Sequence, residues 1–294
     1  MVTKNGLSRK IFNVCNITFL SIVTVVCILP FVHLLALSLS GSTAAAAGKV
    51  TFWPVDFTLK SYSFLLEKSD FIVSLGVTLK RVVLGTTLNM LLIVLTAYPL
   101  SKSPDRFRFR TAFAWFFVLT NFFSGGMIPH FMLIRDLNLF DSIWALVLPG
   151  AVAVGNVVLM INFFRTIPTS LEEAAMLDGA GAFRILFRVY LPVSLPGLAT
   201  VLLFTIVGHW NAWFDGLLYM NSPANYPLQT YLSTLNVDVN TSLMTSDQLA
   251  QMKNVTDETL KAAQVFLGTL PIMLVYPFLQ RYFVKGIVLG SVKE

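Results

Sequence analysis

Six nearly unbroken apolar stretches, parted by polar and charged segments, set the rhythm of this sequence: 17–39, 82–100, 111–134, 142–164, 195–219 and 262–284. The hydrocarbon core of a bilayer is about 30 Å thick, and a helix needs about 20 mostly apolar residues to cross it. The pattern therefore predicts an all-α membrane protein with six transmembrane helices. The second stretch can be extended back to about Phe71, which places Lys80 and Arg81 inside its helix. Pro30 removes a backbone hydrogen bond within the first stretch and predicts a kink there.

Composition agrees with the pattern. Hydrophobic residues make up 55% of the chain and charged residues 12%, about half the charged share of a soluble domain. The net charge of +6 is read as loops facing an anionic lipid leaflet. No basic stripe interleaved with aromatics is present, so nucleic acid is not expected as a partner. Lys4, Arg9, Lys10 and the alanine run 44–47 superficially resemble a secretory leader. The apolar core of 23 residues exceeds the roughly 7–15 of such leaders, so it reads as an uncleaved first span. Cys15 and Cys27, twelve apart on one helix, lie about 18 Å apart along its axis. That is beyond the roughly 7 Å a disulfide allows, so they cannot pair within the helix.

Basic residues orient the spans. With both termini in the cytoplasm, thirteen of the 21 Lys and Arg fall inside and eight outside, Lys80 and Arg81 among the latter. Arg106, Arg108 and Arg110 crowd one short inner loop, where the positive-inside rule is strongest. Two long segments, 40–70 and 221–261, then lie outside, where an external partner can meet them. Asn-x-Ser/Thr triplets at Asn240 and Asn254 are too common a pattern to imply glycosylation. The expected organisation is an N-terminal tail, first helix and outer loop over 1–70, a transmembrane core over 71–284, and a cytoplasmic tail over 285–294.

Segment 165–194 is not a plain connector. Ser170-Leu171-Glu172-Glu173 reads as a capping box, with Ser170 capping an early amide and Glu173 reaching back. Both carboxylates suit the positive end of a helix dipole. The helix should run through Leu177 and break at Asp178-Gly179-Ala180-Gly181. A second short helix should cover about 182–190 and stop before Pro192. Helices this short need a surface to pack on, either the chain's own spans or another subunit. The small Ala174 and Ala175 permit close approach.

Glu173-Ala174-Ala175, three residues, Gly179, nine residues and then Val189-x-Leu191-Pro192 resembles the EAA loop of binding-protein-dependent ABC importers, with Val189 where the family usually has Ile. The likeness covers most of the chain. Segments 123–129 (FSGGMIP), 138–144 (NLFDSIW), 208–213 (GHWNAW) and 280–286 (QRYFVKG) are similar to carbohydrate-uptake permeases of the maltose (MalG-like) type. More narrowly they resemble the LplC-like subgroup, associated with oligosaccharides from complex polysaccharides. The resemblance implies a type I ABC importer permease fold in the bacterial cytoplasmic membrane. It implies a cytoplasmic coupling helix on which Glu172, Glu173, Ala174, Ala175, Asp178, Gly179, Leu191 and Pro192 meet an ATPase. It also implies partners: a second, related permease in a heterodimer, two ATPase subunits and an extracytoplasmic sugar-binding protein.

The chain is not expected to be an enzyme. It has no phosphate-binding G-x-x-x-x-G-K-[ST] motif, so ATP and Mg belong to the partner ATPase subunits. His33, His130 and His209 are scattered without metal-ligand spacing. A sugar path needs polar and aromatic side chains on protected faces, and intramembrane polar residues are functional candidates by default. The richest cluster is His209, Trp210, Asn211, Trp213 and Asp215, with Asn211 and Asp215 four apart on one helical face. Asn121 and Asn156 join them. Asn89 and Asn162 read as helix–helix contacts, a role open to all of these residues. Two alternatives stay open: a secondary transporter driven by an ion gradient, with Lys80, Arg81 and Asp215 as coupling groups, and an ABC permease for a non-sugar solute.

Overall fold

The computed structural model of this chain describes residues 7–67, 69–235 and 257–291, and every regular element among them is a helix. The chain divides into two compact units, 1–69 with 235–270 and 70–234 with 271–294.

In the first unit, helix α1 (Leu7–Ser38) is continuous through Pro30. It exposes apolar side chains on every side, Phe12 and Val26 among them, as a lipid-facing helix must. Cys15 and Cys27 lie on it as exposed free thiols. The segment after it folds back on its end: the Ser38 hydroxyl meets the Tyr62 hydroxyl at 2.7 Å, and Val55 N–H donates to Ser40 Oγ at 3.0 Å. The expected outer loop 40–70 therefore carries structure, including α2 (Ser42–Ala46) and α3 (Lys60–Glu67).

The second unit starts with α4 (Ser69–Ser101), which begins well before the apolar stretch at 82 and does carry Lys80 and Arg81 inside the helix. There follow α5 (Arg110–Phe122), α6 (Met127–Asp136), α7 (Ile143–Val147), α8 (Val154–Arg165) and α9 (Thr169–Leu177). Next come α10 (Ala182–Ile185), a π-helical turn Leu186–Tyr190 and α11 (Leu191–Val193). Last are α12 (Leu195–Asn211), α13 (Phe214–Tyr219) and α14 (Leu228–Leu235). The C-terminal helix is Asp257–Ser291. The triplets at Asn240 and Asn254 lie outside the described residues.

Six unbroken spans are not what the chain forms. Among the described residues three helical segments are long and apolar enough to cross a membrane: Arg9–Ser38, Ser69–Ser101 and Glu258–Phe278. Two bent pairs, α5 with α6 at 106° and the 182–193 helix with α12 at 84°, raise the possible spans to five. The expected third, fourth and fifth stretches are each interrupted. Gly125 and Gly126 part α5 from α6; Pro149 and Gly150 lie between α7 and α8; the chain turns extended at Ala212, between α12 and α13. Hydropathy registers side chains and is blind to such backbone breaks.

Two apolar clusters stabilise this unit. The larger joins Ile93, Ala97 and Leu100 of α4 to Met160 and Phe164 of α8, with Ile185, Leu186 and Tyr190 of the elbow and Val201 of α12. The smaller gathers Ile134, Ala145, Leu146, Tyr219 and Met220. Burying each large aliphatic or phenylalanine side chain among these contributes about 1.5–3 kcal/mol relative to exposure in water. At Gly85 the imidazole of His209 lies where a Cβ would stand, so α4 and α12 approach as closely as they do only because that residue is glycine.

Candidate functional site: a charged elbow and a polar pocket

The segment 165–194 folds as a helical elbow. Helix α9 ends at Leu177 as expected, and Gly179 turns the chain with φ +74°. A φ in this left-handed region favours glycine. The capping box is not formed: Pro168 is the N-cap residue, no side chain caps the helix, and Ser170 lies inside the first turn. The second helix also differs from expectation, because it does not stop before Pro192. It passes through a π-helical turn at Leu186–Tyr190 and continues to Val193. A proline inside a helix lacks its N–H and crowds the carbonyl four residues back. The wider π turn just before Pro192 accommodates both defects.

Glu172, not Glu173, anchors the elbow. Glu172 is 4% exposed. It accepts hydrogen bonds from Lys102 Nζ at 2.9 Å and from the Tyr190 hydroxyl at 2.6 Å, and Arg106 Nη1 lies 2.9 Å from its Oε1. Lys102 Nζ also sits 4.0 Å from the ring centre of Tyr98 and 3.8 Å from that of Tyr190, a cation–π pair. Burial pushes the Glu172 carboxyl up, but the Tyr190 hydroxyl, Lys102 and Arg106 outweigh it and hold the carboxyl below the usual carboxylate range. Burial pulls the Lys102 ammonium below its usual value, against the opposing pull of Glu172. Burial also pushes the Tyr190 phenol up, and the neighbouring Glu172 carboxylate adds to it. Glu173 is exposed and reaches only 4.0 Å from Arg106.

Anchoring on one face leaves the other free. Leu171, Ala174 and Leu177, spaced by three residues, form an exposed apolar strip on α9, with Leu177 89% exposed. Ala175 packs inward on the large cluster, as does Leu191. Asp178 caps the C-terminus of α9.

Farther along α4, a pocket of about 340 Å³ opens between α4, the α7–α8 segment, α12 and α13. Asn156, His209 and Asp215, all expected on the sugar path, line it. Asn121, Trp210, Asn211 and Trp213 do not: Asn121 and Asn211 are exposed, Trp210 is buried beside the pocket, and Trp213 stacks edge-on against Phe214. The helical-face argument for Asn211 and Asp215 fails because α12 ends at Asn211 and α13 begins at Phe214.

Arg81, expected inside its helix, takes a larger part in the pocket than sequence reasoning gave it. Counted as an outer charge, it is 3% exposed and lines the pocket. It ion-pairs with Asp215 through both guanidinium nitrogens, one contact being 3.1 Å, and donates to the carbonyls of Ala212 at 3.3 Å and Leu146 at 3.4 Å. Asn89 also lines the pocket, and its Nδ2 donates to Gly150 O at 3.2 Å. Both lie on α4, where intramembrane polarity was the available signal. At the α6–α7 connection, Asp141 accepts from the N–H groups of Asn221 at 2.7 Å and Ser222 at 3.0 Å, which pins segment 138–144 to the residues after α13. Led by the Ser222 bond, these hold its carboxyl below the usual range.

Apolar helices thus surround a polar pocket, and the charged elbow lies at the far end of the same helices. Comparison with known proteins gives the class. Residues 2–289 match the family of binding-protein-dependent transport system inner membrane components. The chain is 36% identical over 287 residues to the polygalacturonan/rhamnogalacturonan transport system permease protein YtcP of Bacillus subtilis (strain 168), covering 98% of this chain and 100% of that one. It is 37% identical over 291 residues to Protein LplC of the same organism, covering 98% and 97%. It is similar to a chain in the crystal structure of a bacterial ABC transporter involved in the import of the acidic polysaccharide alginate, with TM-score 0.84, 33% identity, and 95% and 98% coverage. The chain belongs to this family of ABC importer permease subunits, in its carbohydrate-uptake, MalG/LplC-like branch.

Proposed function

We propose that this chain is one of two related permease subunits through which an ATP-driven importer takes up an oligosaccharide released from an acidic polysaccharide. The observation that carries the reading is the exposed strip Leu171–Ala174–Leu177 on a helix held rigidly from behind by Glu172. An apolar strip on an anchored helix transmits force to the spans only if another subunit grips it. In this reading the chain crosses the membrane six times by combining its broken helices, with both termini and the elbow in the cytoplasm. Two ATPase subunits hold ATP and Mg and pull the elbows together. A sugar-loaded external binding protein docks on 40–70 and 221–261, and the second permease completes the path. The acidic character of the sugar is supported by the relatives: one is named for polygalacturonan and rhamnogalacturonan, and another belongs to a transporter of alginate. An ion-gradient mechanism is less well supported, since among the described residues lining the pocket the one acid–base pair, buried Arg81 with half-buried Asp215, is already mutually neutralised.

The test is proximity. Single cysteines at Ala174 and Met176, with Cys15 and Cys27 replaced by Ser, should cross-link to a co-purified ATP-binding subunit, and ATP should change the yield. Failure of both positions to reach any ATP-binding chain in an active complex would remove the coupling role.

A further inference from the structure

We infer that Arg81 is the residue that reads the acid group of the transported sugar, and that Asp215 is its resident counter-ion, displaced when a sugar carboxylate arrives. This rests on the proposed reading of the chain as an importer of acidic oligosaccharides.

The two ends of the pair are built differently. Arg81 is enclosed, and the backbone holds it independently of Asp215: Nη1 donates to Ala212 O at 3.3 Å and Nη2 to Leu146 O at 3.4 Å. Ala212 is the C-cap of α12 and Leu146 lies in the last turn of α7. Helix C-termini carry partial negative charge, so a cation is favoured there. Asp215 is the looser partner. Its side chain is 28% exposed, and its Oδ1 also accepts from Gly216 N–H at 2.9 Å. It therefore keeps a donor and gains water when it releases the guanidinium. A carboxylate that enters the pocket meets a planar fork already positioned for two parallel hydrogen bonds, the arrangement in which arginine excels. The exchange keeps the buried guanidinium paired throughout, which matters because an unpaired buried charge is strongly destabilising.

The remaining lining suits a sugar ring. Asn156 and Tyr219 bring hydrogen-bonding groups, and Phe204 brings a ring face. The volume of about 340 Å³ falls within the roughly 300–1,000 Å³ of small-ligand sites. Without a carboxylate, a sugar has no means of displacing Asp215, so neutral sugars meet the closed pair.

The experiment uses the whole complex, with its second permease, ATPase and binding protein, in proteoliposomes, and galacturonate trimer as the probe. Arg81→Gln should lower kcat/KM for trimer uptake by roughly tenfold or more, the scale of one charge-assisted hydrogen bond. Asp215→Asn removes the internal competitor and should lower KM by several fold. Effects of opposite sign are the signature of exchange. If both variants lose uptake together, the pair is structural and the inference is overturned. Arg81→Lys guards against misfolding: it keeps the charge but not the fork, and should assemble fully while binding the trimer less tightly. An Arg81→Lys variant with unchanged KM also overturns the inference. A native complex that imports a neutral trimer but not the acidic one overturns it while leaving the importer reading intact. If no oligosaccharide stimulates the ATPase, the importer reading falls first.

Discussion

Glu172 shows how one side chain can tie a short helix to its scaffold. Three donors from two other segments converge on its carboxylate, and Lys102 is further held between two tyrosine rings. Glu172→Gln keeps the shape and removes the charge, leaving the Lys102 ammonium buried without its counter-ion. The expected cost is about 3 kcal/mol, read as a lowered unfolding temperature of the complex and more ATP consumed per sugar imported. The pH dependence has a definite sign. The carboxyl is held below its usual value in the folded chain, so its stabilisation is complete above the ordinary carboxylate pKa of about 4.3. It is lost as pH falls through the lowered folded value. The gap in unfolding temperature between native and variant should thus be constant near neutrality and close in acid, where a protonated Glu172 resembles Gln. A gap that varies between about pH 6 and 8 would point to a different titrating group.

At the scale of the element, the elbow turns on Gly179. Its φ is +74°, and a Cβ built there meets nothing within 4 Å. The demand is therefore conformational, not steric. A left-handed residue other than glycine costs about 1–2 kcal/mol, more for a β-branched side chain. Gly179→Val should redirect α10 relative to α9 and uncouple ATP hydrolysis from uptake, whereas Gly179→Asn, which tolerates this conformation, should keep most of the coupling. Measuring ATP hydrolysed per sugar imported in both variants checks this. Equal behaviour of Val and Asn would show that the backbone angle is not the constraint.

For the whole molecule, the orientation of the elbow decides whether the proposed mechanism works at all. Cysteine at Ser103, in the basic loop between α4 and α5, and cysteine at Ser222, beside the Asp141 clamp, should report opposite sides of the membrane. With the native cysteines replaced by Ser, a membrane-impermeant maleimide should label Ser222→Cys in intact cells. It should label Ser103→Cys only after permeabilisation. Labelling of both positions from one side would overturn the proposed topology.

Much of this protein could be read from chain order. A surplus of apolar residues required a membrane, because too few charges remain to cover a soluble surface. Acidic, alanine and glycine residues at fixed spacing marked the elbow, because a helix ending and a left-handed turn are local events set by adjacent residues. Tertiary structure decided which of those residues matter. Glu172 and Lys102 are 70 positions apart, and Arg81 and Asp215 are 134 apart. Neither pair leaves a trace in local periodicity, so sequence reading gave Glu173 a cap it does not make and did not pair Arg81 with Asp215. Charges choose partners through space, at a strength set by burial, and burial exists only after the helices have packed.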